Sequence, residues 1–253
     1  TDLQPTSDEI LDAEVLAIIA RHLDDHDAAR KALRTMRRRE VLRLAIGFVL
    51  STTTIEQVSS GLSAVTGAAL SGYLAIALSE SPHNPDFTII GLGRFGGQEL
   101  GFDSDADVIY VYRANENCTG EDAQSRAEQI VLRISELAED PRLPFDIDTG
   151  LRPEGKNGSP VRSLDSYRAY YERWSLLWES QALLRARPVA GDSGLIEQMM
   201  SVIDQVRYPE SVSEEDVREI RRIKARVEAE RLPQGADPAR HVKLGRGSLS
   251  DVE

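Results

Sequence analysis

Asp103-Ser104-Asp105-Ala106-Asp107-Val108-Ile109-Tyr110-Val111-Tyr112 sets two aspartates at the head of a run rich in β-branched and aromatic residues. Such a run reads as a β-strand. Alternate strand residues point to one face, so Asp105 and Asp107 project together. Two carboxylates side by side repel each other and lose hydration unless a positive charge sits between them. A divalent cation is the simplest such charge, and the pair points to chemistry on a nucleotidyl or phosphoryl group. A bare Asp-x-Asp also fits an acidic surface turn. Its surroundings favour the metal: Gly96-Gly97 lies upstream, and a second apolar run, Phe145-Asp146-Ile147-Asp148, lies downstream. Magnesium takes hard oxygen donors, and two ions about 3.5–4 Å apart clamp the attacking and leaving oxygens of an in-line displacement. Asp148 is the third ligand on this basis. Asp146 has the same parity and is a rival, while Asp103 belongs to the approach loop. The glycine and glutamate spacing of a calcium-binding EF-hand loop is absent.

Outward from this run the periodicity changes twice. Residues 8–80 carry apolar residues at helical spacing (Leu11, Val15, Leu16, Ile19, Leu23), with a break and restart at Thr52-Thr53-Thr54-Ile55-Glu56. Pro82-His83-Asn84-Pro85 ends this helical arm. Strands are predicted at Phe87–Gly93, Val108–Tyr112 and Phe145–Thr149, with a short edge strand at Arg187-Pro188-Val189-Ala190. Helices are predicted at Glu121–Glu139 (with Ile130, Leu132, Ile134 and Leu137 on its apolar face), Leu164–Leu184, 193–206 and 213–230. The expected parts are a helical arm over 1–83, a mixed α/β core over 84–192, and C-terminal helices over 193–253.

Gly91-Leu92-Gly93-Arg94-Phe95-Gly96-Gly97 follows a strand but is a poor dinucleotide fingerprint, because acids replace the continuing helix. It also lacks the Gly-Lys-Ser/Thr of a P-loop. The better use is a backbone nest in which Gly96 and Gly97 offer amides to the β- and γ-phosphates. Arg94 either neutralises phosphate or lies on the surface. The loop after the third strand, Gly150-Leu151-Arg152-Pro153-Glu154-Gly155-Lys156, offers the planar fork of Arg152 and the mobile charge of Lys156. Tyr167, Tyr170, Tyr171, Trp174 and Trp178 recur at spacings of three and four, which reads mainly as core packing. Glu179, Arg185 and Arg187 default to structural ion pairs, with a nucleotide contact open for either arginine.

Net charge is −12, and the strongest basic cluster, Arg34 to Arg43, is interrupted by Glu40. Extended nucleic-acid binding needs a basic face that this chain does not offer. One cysteine, Cys118, excludes a disulfide within the chain and any cysteine-rich metal site. His22, His26, His83 and His241 make no metal set; His22 and His26 read as a polar pair on one helical face. No signal peptide or long apolar run is evident, so a cytoplasmic protein without a membrane partner is expected. Both ends look like cuts in a longer protein, with Ser250 capping a helix start that includes Glu253. Some apolar helix faces are therefore expected to be exposed.

Four segments together resemble one family. They are Gly93-Arg94-Phe95-Gly96-Gly97-Gln98-Glu99-Leu100-Gly101-Phe102-Asp103-Ser104-Asp105-Ala106-Asp107-Val108; Asp148-Thr149-Gly150-Leu151-Arg152-Pro153-Glu154-Gly155; Trp178-Glu179-Ser180-Gln181-Ala182-Leu183-Leu184-Arg185-Ala186-Arg187; and Lys243-Leu244-Gly245-Arg246-Gly247. The chain resembles, from about residue 88 onward, the bifunctional glutamine synthetase adenylyltransferase/adenylyl-removing enzymes of the DNA polymerase beta-like nucleotidyltransferase superfamily. The resemblance implies an α+β fold: a polymerase beta-like nucleotidyltransferase core with a mixed sheet, preceded by the helical arm and followed by helices. It selects Asp105, Asp107 and Asp148 as the catalytic metal ligands. The nucleotide side of the site is assigned to Arg94, Gly96, Gly97, Ser104, Arg152 and Lys156. Two departures stand out, Gly150 where many members have arginine and Ser248 where many have glycine.

Family members carry two such halves, one transferring AMP from ATP to a tyrosine of glutamine synthetase and one removing it by phosphorolysis. The Arg221–Glu228 helix and the Asp251-Val252-Glu253 stretch resemble the C-terminal, adenylylating half of actinobacterial members. The implied mechanism uses two Mg²⁺ ions: one on Asp105, Asp107 and Asp148 to acidify the tyrosine hydroxyl, one on Asp105 and Asp107 to bind the triphosphate. Implied partners are glutamine synthetase as protein substrate and a PII-type nitrogen-signalling protein for the full-length enzyme. A catalytically silent nucleotide-binding or regulatory module is the reading of another class; the intact acids argue against it.

Overall fold

A computed structural model describes residues 3–174, 177–209, 211–245 and 247–249, with Lys156 and Trp174 described in backbone only. The β-branched run forms β2 (Ala106–Arg113), the central strand of the sheet. β1 (Asp86–Gly91) lies antiparallel along one edge of it. Along the other edge β3 (Ile147–Asp148) and β4 (Val161–Ser163) lie parallel to it, end to end. β5 (Arg187–Gly191) pairs antiparallel with the far side of β1, with an irregularity between Ile89 and Ile90. The sheet is mixed, as expected.

Alternation along β2 sorts its side chains between two cores. Ala106, Val108, Tyr110 and Tyr112 enter a core shared with α1 (Asp8–Arg21), α2 (His26–Val49), α3 (Ile55–Ser79) and α5 (Gly120–Ala138). Ile109 and Val111 enter a second core with α6 (Leu164–Trp174) and α8 (Ser193–Arg207). Asp107 has the parity of Ile109 and so projects on the α6/α8 side, past the end of that apolar layer. The predicted helical region is thus a layer against the sheet: α3 packs on α1, α2, α5 and β5.

The restart predicted near Thr54 is a capping box. The Thr54 hydroxyl accepts the Gln57 N–H (3.3 Å) and the Gln57 side chain accepts the Thr54 N–H (2.8 Å). α3 is long and apolar enough by length and composition to cross a membrane, against the expectation of no long apolar run, yet most of it is buried inside the protein. It is apolar because neighbours cover it on several sides.

Other expectations are corrected by tertiary packing. Leu16, Leu23 and Leu132, predicted on apolar faces, are exposed. The single helix over Leu164–Leu184 is two, α6 and α7 (Leu177–Leu183). His22 caps the end of α1 while His26 opens α2 and faces Ser79 and Glu80, so the two histidines share no helical face. β4 has no sequence signal, being three residues after a proline. α9 (Glu214–Glu230) follows α8. α2 shows Leu42, Ile46 and Val49 to solvent, and its C-cap Leu50 is exposed as well. The helix start at Ser250 and Asp251-Val252-Glu253 lies outside the described residues.

Thr54→Ala is expected to lower the unfolding free energy by about 1 kcal/mol, because one helix-start amide loses its partner. Urea denaturation reads this, with Thr54→Ser as the silent control. An unchanged midpoint for Thr54→Ala would mean the box adds nothing.

Candidate active site

The head of β2 is where three acids meet. Asp105 precedes the strand, Asp107 is its second residue, and Asp148 is the last residue of β3, in register with Asp107. Each offers a carboxylate oxygen, and these oxygens lie within 4.8 Å of one another. Asp146, the rival, stays out of the group. Its carbonyl accepts the Ala106 N–H (2.8 Å), which fixes the register that brings Asp148 in. Gly150 donates its N–H to Asp148 Oδ1 (2.6 Å), orienting that carboxylate from the following turn.

Above Asp107 runs a tight turn. After β1 the chain makes a four-residue helix, α4 (Gly93–Gly96). Leu92 N–H donates to Asp107 O (2.8 Å), clamping this turn to β2. Gly93 has φ +51°, and a Cβ there would collide with Asp107 Oδ2. A Cβ on Gly96 would collide with the Arg185 carbonyl. The pair Gly96-Gly97 was expected to offer its amides to phosphate. Instead, Gly96 N–H donates to Leu92 O (2.6 Å) and Gly97 N–H to Gly93 O (3.1 Å), so both amides close the turn itself.

The remaining expected contacts divide. Ser104 Oγ accepts the Gly101 N–H (3.0 Å) and shapes the approach to Asp105. Arg94 Nε donates to Glu99 O (3.0 Å) across the same loop. Arg152 is buried, and its guanidinium donates to Thr149 O and Oγ1 (both 2.7 Å) and to Gly158 O (3.0 and 3.1 Å). It closes the loop behind Asp148 as an internal clasp. The Lys156 side chain and Arg246 lie outside the described residues.

Two cations complete the electrostatics. Burial, with Asp105 and Asp148 alongside, pushes the Asp107 carboxyl up to about 6, while Lys243 and Arg185 pull it back. Arg185 Nη1 pairs with Glu99 Oε2 (2.5 Å) beside the glycine turn. Arg187 instead donates to Gly96 O and Phe95 O (3.3 and 3.4 Å) at the end of α4, as a structural support. Lys243 received no role from the sequence beyond its place in the Lys243–Gly247 segment of the family resemblance. Glu179 is buried and accepts the Tyr170 hydroxyl (2.8 Å).

The raised Asp107 carboxyl has a stability consequence. The unfolded group titrates near about 3.9, so the folded chain binds its proton more tightly. Stability therefore falls as pH rises from about 4 to about 6, and the penalty is full above that. Partial exposure discounts its size. Asp107→Asn is expected to stabilise the ion-free chain by on the order of 1–2 kcal/mol at pH 7.5, with no gain at pH 4 or below. Urea unfolding in chelator at both pH values checks this, and equal stability of the two chains at pH 7.5 would contradict it.

Comparison with known proteins gives a consistent set. The family model described as glutamate-ammonia ligase adenylyltransferase matches residues 2–201. A bifunctional glutamine synthetase adenylyltransferase/adenylyl-removing enzyme from Leifsonia xyli subsp. xyli is 59% identical over 255 residues, covering 100% of this chain and 25% of that protein. Proteins of the same name from Streptomyces avermitilis and Nocardia farcinica are 44% and 45% identical, each over 99% of this chain and 27% and 26% of their own lengths. The chain spans about a quarter of the length of these curated relatives.

Proposed function

The chain belongs to the glutamate-ammonia ligase adenylyltransferase family, and from that premise we propose that it transfers AMP from ATP to a tyrosine hydroxyl of glutamine synthetase. Its helical N-terminal region, mixed sheet and following helices are the architecture of a polymerase beta-like nucleotidyltransferase domain. The observation that carries the proposal is the convergence of Asp105, Asp107 and Asp148 at the head of β2. The relatives' shared name supports the substrate. The likeness of the Arg221–Glu228 helix to the adenylylating half supports transfer over removal.

The donor set fits Mg²⁺: three carboxylates, hard oxygens only, converging from two adjacent strand ends, where burial and then the neighbouring acids push Asp107 upward. Asp105, Asp107 and Asp148 would hold the metal, with Asp105 and Asp107 shared if two ions bind. Bound magnesium would neutralise the triphosphate and acidify the attacking hydroxyl. The chain's own residues do the rest. Gly150 fixes one oxygen of Asp148, leaving the other as a ligand or proton acceptor. Arg185 and Lys243 place positive charge beside the acids, on which the phosphates of a nucleotide would draw. The side-chain-free turn at Gly96-Gly97 keeps Arg185 close to this end of the sheet.

Incubating the chain with labelled ATP, Mg²⁺ and unmodified glutamine synthetase is expected to label the substrate. Asp105→Asn and Asp107→Asn are each expected to reduce the rate by on the order of 10²-fold or more, since each removes a ligand from a site worth several kcal/mol in the transition state. Unchanged turnover in either variant would sink the assignment. A parallel reaction with AMP-modified glutamine synthetase and phosphate reads the removing activity in the relatives' name; release of label there alone would reverse the assigned direction.

A further inference from the structure

The basic cluster Arg34 to Arg43, which the proposed chemistry leaves unused, is directed inward. Arg34, Arg37 and Arg38 are spaced i, i+3 and i+4 on α2, so they share one face. Arg37 and Arg38 reach the segment that joins α5 to β3, while Arg34 reaches the last turn of α5. Arg34 Nε donates to Leu137 O (3.2 Å), at the end of α5. Arg38 grips the Asp140 carboxylate with two nitrogens (2.8 and 2.5 Å), and Asp140 is buried. Arg37 donates to Leu143 O (2.8 Å) and Pro144 O (2.9 Å), and its guanidinium lies 4.4 Å from the centre of the Phe145 ring. Three residues after Phe145 comes Asp148.

That segment needs an external hold. Between Ala138 and Ile147 it has no regular secondary structure, and β3 is only two residues long. Its pairing with β2 is limited to Ala106 with Ile147 and Asp107 with Asp148. So short a pairing sets a register weakly by itself, and a slip of one residue would turn Asp148 to the opposite face and bring in Ile147. The same carboxylate is repelled by Asp105 and Asp107 while the ion is absent. Something must offset that repulsion, and beside the Ala106–Asp146 hydrogen bond and the contact of Phe145 with Tyr73, the contacts from α2 hold the approach to β3.

Resting on the ion-site reading above, we infer that Arg37 and Arg38 are positioning residues for Asp148: they fix residues 140–145 against α2 and so deliver the third carboxylate to the metal centre. Arg34 gives its backbone hydrogen bonds to the last turn of α5 and is the internal control, since its loss removes the same charge from the same helix face.

Two measurements on the 253-residue chain test this. Amide hydrogen exchange without metal reads the position of the segment directly. Arg37→Met is expected to speed exchange across residues 143–149, whereas Arg34→Met leaves that stretch protected. Mn²⁺ binding followed by electron paramagnetic resonance reads the consequence. Arg37→Met is expected to weaken binding about tenfold, as loss of a ligand's support does at other metal sites, with Arg34→Met within about twofold. In AMP transfer the metal concentration for half-maximal rate rises with it, while the KM for ATP stays put. Should Arg37→Met fail to fold, Arg37→Lys serves, because it keeps the charge but cannot span both carbonyls. Native exchange and native Mn²⁺ binding in these variants would overturn the inference. Asp107→Asn run alongside separates the two claims: undiminished Mn²⁺ binding there defeats the ion site itself, whereas unaltered exchange in the Arg37 variants defeats the clasp.

Discussion

Three negative charges are held within a few ångströms of one another, and the rest of the architecture answers to that constraint. Left to themselves, Asp105, Asp107 and Asp148 would separate, since two of them raise the third's affinity for a proton. The chain keeps them together with rigid parts. β2 is buried on both faces and cannot shift without disrupting two cores. Leu92 and Asp146 lock the backbone on either side of its head. Gly150 holds Asp148 from behind. Hard carboxylate oxygens gathered this closely could hold a divalent cation.

The chain's polar groups repeat this pattern of inward use. The strongest basic stretch, Arg34 to Arg43, was expected to offer no extended basic face. Here the stretch is consumed by carbonyls and a buried carboxylate of the same molecule. Arg152, whose fork suited a phosphate, instead closes its own loop. Arg187 terminates a four-residue helix. Arginine does this well because one planar group satisfies several acceptors at once, and unsatisfied carbonyls in such irregular loops would be costly. Among the described residues, Arg185 and Lys243 act on Asp107 from parts of the chain far apart in sequence.

The strands and most helices were legible because their periodicity is local. β-branched residues at Val108–Tyr112 and the apolar face of α5 state their conformation within a dozen residues. The two strands that carry the acids were legible for the same reason, and parity alone put Asp105 and Asp107 on one side. What parity left open was the third acid. Asp146 and Asp148 share a face, and the resemblance to a known family chose between them before the Ala106–Asp146 hydrogen bond and the pairing of Asp107 with Asp148 supplied a physical reason.

Alone, the sequence determined most of the element types, the shared side of Asp105 and Asp107, and the family, since each is written in residue identities at short spacing. Only the tertiary structure decided how those parts are used. It made α3 a core helix, closed the amides of Gly96 and Gly97 into their own turn, and turned the arginines of α2 toward the loop before Asp148. The physical reason is common to all three. A donor, an apolar face or a charge carries no record in sequence of which distant group will meet it, and that partner is chosen by the packing of the whole chain.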